Sequence, residues 1–306
     1  MSTNHKSVFL TLIKAVLCSL AYVVGTVLSG MLISALHLAM PNFLPPNANP
    51  MTQFAYFACA SLLIGFGLLP LAAPLGGSRT VRWLALALLI FVCLGVNTTI
   101  EIRIFSTFLA HGGALVLTAN VILPALLCGW GLSTLGTSPA EEPPLLERVR
   151  SFFSARSVAG WSWRLLLAIL AFPFAYFLFG SMVGPYVVEA YRGGIAGLTL
   201  PPVAVILKTQ LVRSTIFFIA SLPFLVLWRK SRLSLFVALG LAHWVLVGLF
   251  GLSQAVTFPR LLRILHSIEI GADSFAYAAA LVFLLLPRRS ENPLPTQAHA
   301  APVFPS

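Results

Sequence analysis

The chain has 306 residues, of which 58% are hydrophobic and 9% are charged, and its mean hydropathy is +0.95. This composition excludes an ordinary soluble domain, because the apolar segments are too long and carry too little charge. The net charge of +11 does not indicate nucleic-acid binding, since the basic residues form no stripe interleaved with aromatic residues.

Eight apolar stretches predict eight transmembrane helices, because runs of about 20 apolar residues cross a bilayer as helices that satisfy their own backbone. A transmembrane barrel would require regular alternation of apolar and polar residues, which the chain lacks. The first stretch is longer than the apolar region of a signal peptide, so we interpret it as a retained span. The predicted spans lie near residues 10–36, 52–74, 81–97, 104–132, 164–188, 209–228, 233–252 and 271–287. The predicted fold class is an all-α polytopic membrane protein.

The basic residues predict the orientation of these spans. In the eight-span prediction, 13 of the 19 basic residues fall on the side of the two termini. Cytoplasmic loops are enriched in lysine and arginine, so we expect a multi-pass protein of the cell membrane with both termini in the cytoplasm. The six basic residues on the other side are Arg103, Arg192, Lys208, Arg213, Arg260 and Arg263.

The two halves of the chain resemble each other, which predicts two parallel four-helix repeats related by an axis along the membrane normal. The prediction divides the chain into a first repeat at 1–135, a cytoplasmic linker at 136–163, a second repeat at 164–290 and a disordered cytoplasmic tail at 291–306. Three matches use residue types that are rare in the apolar background: Pro45-Pro46 with Pro201-Pro202, Ser78-Arg79 with Ser231-Arg232, and Ile100-Glu101-Ile102 with Ile268-Glu269-Ile270.

Two local patterns add detail to this arrangement. The linker predicts a short surface helix around Leu145–Phe153. Small residues recur at four-residue spacing in the first and fifth spans, including Gly25 in the first and Gly180 and Gly184 in the fifth. Such residues allow helices to approach closely, so we expect these two spans to pack together at the centre of the repeats.

The segment RLLRILHSIEIGADSF, residues 260–275, concentrates charge in a chain that has little elsewhere. Thr257 and Pro259 suit the start of a helix that runs on into the eighth span, and its charged residues share one half of that helix. One interpretation is an interfacial turn at lipid headgroups. The other is a polar site near the outer face, because charges close to the membrane interior usually face a cavity or a partner. Candidate residues for binding substrate or relaying an ion are Arg263, His266, Glu269, Asp273 and Glu101.

Within this set, we expect Arg263 to pair with His266 or Glu269. Glu101 has an alternative structural explanation, since Thr98 to Glu101 fits a capping box at the start of the fourth span. Glu269 lacks this explanation, because His266 occupies the position that corresponds to Thr98. Glu269 is therefore the stronger candidate.

Other chemistry finds little support in the sequence. We expect no metal and no cofactor, because the histidines and cysteines do not fall at metal-ligand spacing. The chain has neither a phosphate-binding loop of the G-x-x-x-x-G-K-[ST] type nor a G-x-S-x-G nucleophile motif. We therefore expect no catalytic residues that the sequence alone can name.

These observations favour a small secondary transporter or permease with a polar site near the outer face. A non-catalytic membrane subunit or scaffold is the main alternative, and a membrane enzyme acting on a lipid or lipid-linked substrate is a weaker one. The expected partners are membrane lipid and a small-molecule or lipid substrate, without nucleic acid.

Overall fold

The computed structural model describes residues 2–41, 49–109, 113–135 and 143–287. All helices and strands assigned in these ranges are helices. Eight of the helical segments are long and apolar enough to cross a membrane, which confirms the predicted all-α class and its eight spans. Spans 1 to 8 are Phe9–Ala35, Pro50–Ala72, Arg79–Phe105, Ala114–Thr134, Val158–Arg192, Val203–Leu227, Arg232–Gln254 and Arg260–Leu285.

Several spans contain changes of helix type. The first helix begins before its span, at Ser2, and the fourth span consists of the helices Ala114–Ala119 and Ile122–Leu135. Short π-helical segments interrupt three spans: Phe91–Asn97 in span 3, Trp244–Leu249 in span 7 and Leu281–Leu285 in span 8. Outside the spans lie a 3₁₀ turn, Ile195–Gly197, and the predicted surface helix of the linker, Leu145–Ser154, which we call the linker helix.

The spans that carry charge extend further than predicted. Span 3 continues to Phe105, so Thr98 lies inside a helix with φ −60° and ψ −39° and does not cap one. The predicted capping box at Glu101 is therefore wrong. Span 8 begins at Arg260, after Pro259, and Thr257 provides no side-chain cap. The predicted continuation of the charged segment into span 8 is confirmed. Glu101 and Glu269 are tolerated within these helices because each contacts a polar partner, Arg213 and His266 respectively.

The two halves contact each other through spans 2, 3, 6 and 7. Span 2 packs against span 7, span 3 packs against span 6, and the π-helical segments of spans 3 and 7 meet. Leu75, after span 2, forms an isolated antiparallel bridge with Trp228, after span 6. We call the end of the bundle that carries these two loops and the linker helix the linker end, and the opposite end the far end.

Spans 1 and 5 lie on opposite flanks, so the prediction that they pack together is wrong. Span 1 packs against spans 2 and 4, and span 5 packs against spans 6 and 8. The small residues serve other contacts: a Cβ at Gly25 would lie 2.4 Å from Cα of Pro124 in span 4. The outward faces of the flanking spans expose large apolar side chains, such as Phe174 at 70% and Met182 at 64%. Apolar exposure on this scale is expected of a lipid-facing surface.

Of the three rare-residue matches between the halves, one joins residues with the same structural role and one does not. Ser78 and Ser231 are both N-caps, of spans 3 and 7, and each side chain accepts a backbone hydrogen bond three residues on. Glu101 and Glu269 do not occupy equivalent positions, because Glu101 lies in the third span and Glu269 in the eighth. Pro45-Pro46 and the predicted disordered tail at 291–306 lie outside the described residues.

Candidate functional site

Four spans bring ionisable side chains to one region inside the bundle. Glu101 comes from span 3, Arg213 from span 6, and Glu269 and Asp273 from span 8, while span 5 supplies Tyr191. At 1.5 Å per residue, Arg213 lies about 15 Å and Asp273 about 20 Å along their helices from the far end. The cluster is therefore placed at membrane depth, in the half of the bundle nearer the far end.

Arg213 is the centre of the first group of contacts. Its Nη2 lies 2.5 Å from Oε1 of Glu101, its Nε donates to Oδ1 of Asn97 at 2.7 Å, and its Nη1 donates to Oε1 of Gln210 at 2.8 Å. Arg213 is 3% exposed, and Asn97 and Gln210 are fully buried. A buried charge needs such partners, because each lost hydrogen bond would leave desolvation uncompensated. The guanidinium is therefore a fixed positive charge.

Local helix structure positions these partners. Asn97 is the last residue of the π-helical segment in span 3. A π-helical turn adds one residue to the helix and rotates the residues after it, and such turns are frequent at functional sites. The rings of Phe172 and Phe217 complete the setting, at 5.2 Å and 5.8 Å from the guanidinium carbon of Arg213. These cation–π contacts stabilise the guanidinium where it faces aromatic rings and has no polar partner.

His266 links a second group of side chains. Its Nδ1 lies 2.7 Å from Oε2 of Glu269, and its Nε2 lies 3.0 Å from the hydroxyl of Tyr191. An imidazole that donates from Nδ1 to the carboxylate leaves Nε2 to accept from the tyrosine. Tyr191 is next to the last residue of span 5. The chain of contacts therefore leads from the far end of span 5 inward to Glu269.

Gly180 makes room for the Glu269 carboxylate. Glu269 is 7% exposed, and a Cβ at Gly180 would lie only 3.1 Å from its Oε1. Gly184, one turn along the same helix, has no atom within 4 Å of an equivalent Cβ. The predicted small-residue pair thus contains one residue that serves the polar site and one that contacts nothing.

Asp273 is the least satisfied member of the cluster. It is 3% exposed, and among the described residues its Oδ1 has no hydrogen-bond partner. It interacts electrostatically with Glu269, Arg213 and Glu101, so the charge on each carboxyl group affects the others. Since three acids face one permanent cation, the ionised cluster carries excess negative charge even when His266 is protonated. Such a cluster attracts a proton or a cation.

The structure brings together four of the five predicted residues: Glu101, His266, Glu269 and Asp273. Arg263 stands apart, because within the described chain it forms no ion pair. Arg263 and Glu269 are six residues apart, which places them about 120° around the helix from each other. The acids pair instead with Arg213 and His266, so the expected pairing of Arg263 is wrong.

The sequence analysis missed the most connected residue of the site. Arg213 lies in a predicted span, and a charge inside a span is itself a signal of a functional site. Asn97, Gln210 and Tyr191 carried no comparable signal, because single polar residues are common near span ends.

Two cavities lie at the linker end, and the cluster lines neither of them. Among the described residues, no three histidine, cysteine, aspartate or glutamate side chains lie together in a way that could hold a metal ion. No protein-family model, curated protein or solved structure matches the chain.

Proposed function

We propose that this chain is a small secondary transporter or permease, and that the Arg213–Glu101 and His266–Glu269 groups with Asp273 form its substrate or ion-relay site. One observation carries the proposal: three spans direct three acids and an arginine to a common region at membrane depth. Charges there are costly and are usually retained for transport or relay.

We also propose that the two halves are parallel four-span repeats. In each half the first span packs on the second and fourth, and the third packs on the fourth. Contacts between the halves are reciprocal, since span 2 meets span 7 and span 3 meets span 6. The bridged residues Leu75 and Trp228 and the caps Ser78 and Ser231 are separated by the same offset of 153. These features support duplication, and a site at the interface of repeats is typical of transporters.

On this proposal, the halves meet at two equivalent interfaces, and one interface has a polar site where the other has an aromatic cluster. By the offset of 153, Gln210 corresponds to Phe57 and Asn97 corresponds to Phe250. Phe57, Phe250 and Tyr22 pack together, with ring centroids 5.5–6.2 Å apart. One interface between the halves is then apolar, and the other carries the polar side chains.

The proposed mechanism assigns different tasks to the charged groups. Arg213, fixed by three acceptors, supplies a permanent positive charge that attracts the anionic part of a substrate. Asp273 and Glu269, one turn apart on span 8, take up a proton or cation that offsets the excess negative charge. His266 connects Glu269 to Tyr191 and so to the far end, which the distribution of basic residues assigns to the outside. The side chains of the cluster are closely packed, as expected of a transporter state that is closed to both sides of the membrane.

The scaffold alternative requires these charges to meet headgroups or cap helix ends. Glu269 and Asp273 are buried, and the capping function expected of Glu101 is absent. This disfavours the scaffold. A membrane enzyme acting on a lipid-linked substrate would need a base at this site, and His266 is the natural choice. Both ring nitrogens of His266 are engaged, which disfavours this alternative.

Flux measurements with the full chain in liposomes test the proposal. Labelled small solutes of both charge signs would be offered under an imposed pH or sodium gradient. We expect the wild type to move protons or at least one solute, and Glu269→Gln and Asp273→Asn to abolish that flux. Glu189→Gln is the matched control, because Glu189 lies near the same end but is exposed. A wild type without any flux, or a Glu269→Gln variant with full flux, would contradict the proposal.

A further inference from the structure

A basic cavity lies at the linker end, far from the buried acids. Its volume is about 440 Å³, and its lining residues are Ala155, Arg156, Arg164, Arg232, Phe283 and Pro287. Half of these residues are arginines, and none is acidic. The cavity is formed where the linker enters span 5, where span 7 begins and where span 8 ends.

Backbone carbonyl groups hold two of these arginines in place. Arg156 donates to the carbonyl oxygens of Leu285 and Leu286, and Arg232 donates to Leu286 and two preceding carbonyls at the end of span 8. These contacts satisfy the last carbonyls of a helix and complement its negative end. They also fix the direction in which the guanidinium groups face.

Arg164 is different, because among the described residues it donates no hydrogen bond to the end of span 8. It donates to the carbonyl of Gly160 at 2.8 Å and stacks on Trp163 at 4.1 Å. The pKa of the Arg156 guanidinium is lowered from its ordinary value, first by burial and then by the charges of Arg164 and Arg232. The three cations thus repel one another, and an anion between them would relieve that repulsion.

A second, apolar cavity of about 520 Å³ is lined by residues that directly precede the basic cavity in the sequence. It is lined by Leu146, Val149, Arg150, Phe153 and Ser154 of the linker helix, and Ala155 of the basic cavity follows directly. Leu146 is 79% exposed and Phe153 is 43% exposed. A short amphipathic helix with such a face lies in the membrane interface. A phosphate group bound to the arginines therefore has an apolar surface next to it for an acyl chain.

We propose that this cavity binds the phosphate of an anionic phospholipid, whose acyl chain lies against the linker helix. Guanidinium groups pair with phosphate through two parallel hydrogen bonds, and basic pockets between spans on the cytoplasmic side bind anionic headgroups. This site is independent of the proposed transport function, because it shares no residue with the acidic cluster.

The test measures the thermal stability of the full chain in detergent during titration with phosphatidylglycerol, phosphatidylcholine or inorganic phosphate. A ligand that binds the folded state raises Tm by an amount that grows with the logarithm of its concentration above Kd. We expect phosphatidylglycerol to raise Tm, and the other two probes to leave it unchanged. Arg164→Gln should weaken the apparent affinity for phosphatidylglycerol about fivefold, the effect of one arginine near an anionic membrane surface. Arg164→Lys should retain most of it.

Arg79→Gln is the matched control, because Arg79 lies at the same end and stacks on Trp130, but does not line the cavity. Ala155→Glu is a second variant, which keeps all three arginines and places a carboxylate on the wall of the basic cavity. It should weaken the binding of phosphatidylglycerol at least as much as Arg164→Gln does. Equal losses in Arg79→Gln and Arg164→Gln, or unchanged affinity in Ala155→Glu, would overturn the proposal. A full Tm shift from inorganic phosphate alone would also overturn it, in favour of a free anion.

Discussion

The ion pair between Glu101 and Arg213 leads to the most quantitative prediction. Replacing Glu101 with Gln keeps an oxygen that can accept from Nη2 but removes the charge that balances the guanidinium. Breaking a buried ion pair costs about 3–5 kcal/mol. The Glu101 side chain is 29% exposed, so water offsets part of the loss and we expect about 2–3 kcal/mol. For a chain of 306 residues this corresponds to a fall in Tm of about 3–5 °C.

A double-mutant cycle isolates the pair from other effects. Glu101→Gln, Arg213→Gln and the double variant would be compared with the wild type by thermal unfolding in detergent. We expect a coupling energy of about 2 kcal/mol. Glu189 and Arg192 form a matched surface pair at 2.8 Å, whose side chains are 76% and 63% exposed, and their cycle should give less than about 1 kcal/mol. Equal coupling in both cycles would refute the assignment of a buried ion pair.

Two further predictions concern small side chains. Gly180→Ala should push the Glu269 carboxylate by a few tenths of an ångström and reduce flux. Gly184→Ala meets open space and should stabilise its helix by up to about 1 kcal/mol. Equal Tm and flux in the two variants would contradict the close contact between Gly180 and Glu269. Ser78→Ala and Ser231→Ala each remove an N-cap and should destabilise the protein by similar amounts, about 1 kcal/mol each in thermal unfolding. Clearly unequal losses would argue against equivalent caps in two repeats.

The eight spans could be predicted because the length of an apolar run is fixed by the thickness of the bilayer. Their ends were less predictable where charged residues continue a helix. Span 3 extends past Glu101 because Arg213 on span 6 compensates a charge that a hydropathy window penalises. Span 8 starts at Arg260, whose side chain is exposed at the far end. The window cannot represent a partner on another span.

The site was only partly predictable for a related reason. The helical spacing of His266, Glu269 and Asp273 placed them on one side of span 8. In the structure Glu269 and Asp273 are buried, and His266 contacts Glu269. Arg213 is 112 residues from Glu101 in the chain, so no local pattern could pair them. A rule that treats every charge inside a span as a candidate would have found it.

The repeat matches show what sequence similarity can and cannot establish in an apolar chain. Ser78 and Ser231 share a physical role, since each begins a span with an N-cap. The Ile-Glu-Ile match joins residues of non-equivalent spans, so its two acids share no structural role. A shared structural role distinguishes the two cases.

The most direct test of the central claim asks whether water reaches the buried cluster from both sides of the membrane. Ser214 follows Arg213, is fully buried, and contacts Tyr277 one turn beyond Asp273. We would introduce Ser214→Cys into a chain in which the native cysteines are replaced. Membrane-impermeant thiol reagents would then be applied from each side in turn. The account predicts labelling from both sides, and Asp273→Asn should shift the balance between them. Labelling from one side only, or from neither, would contradict it.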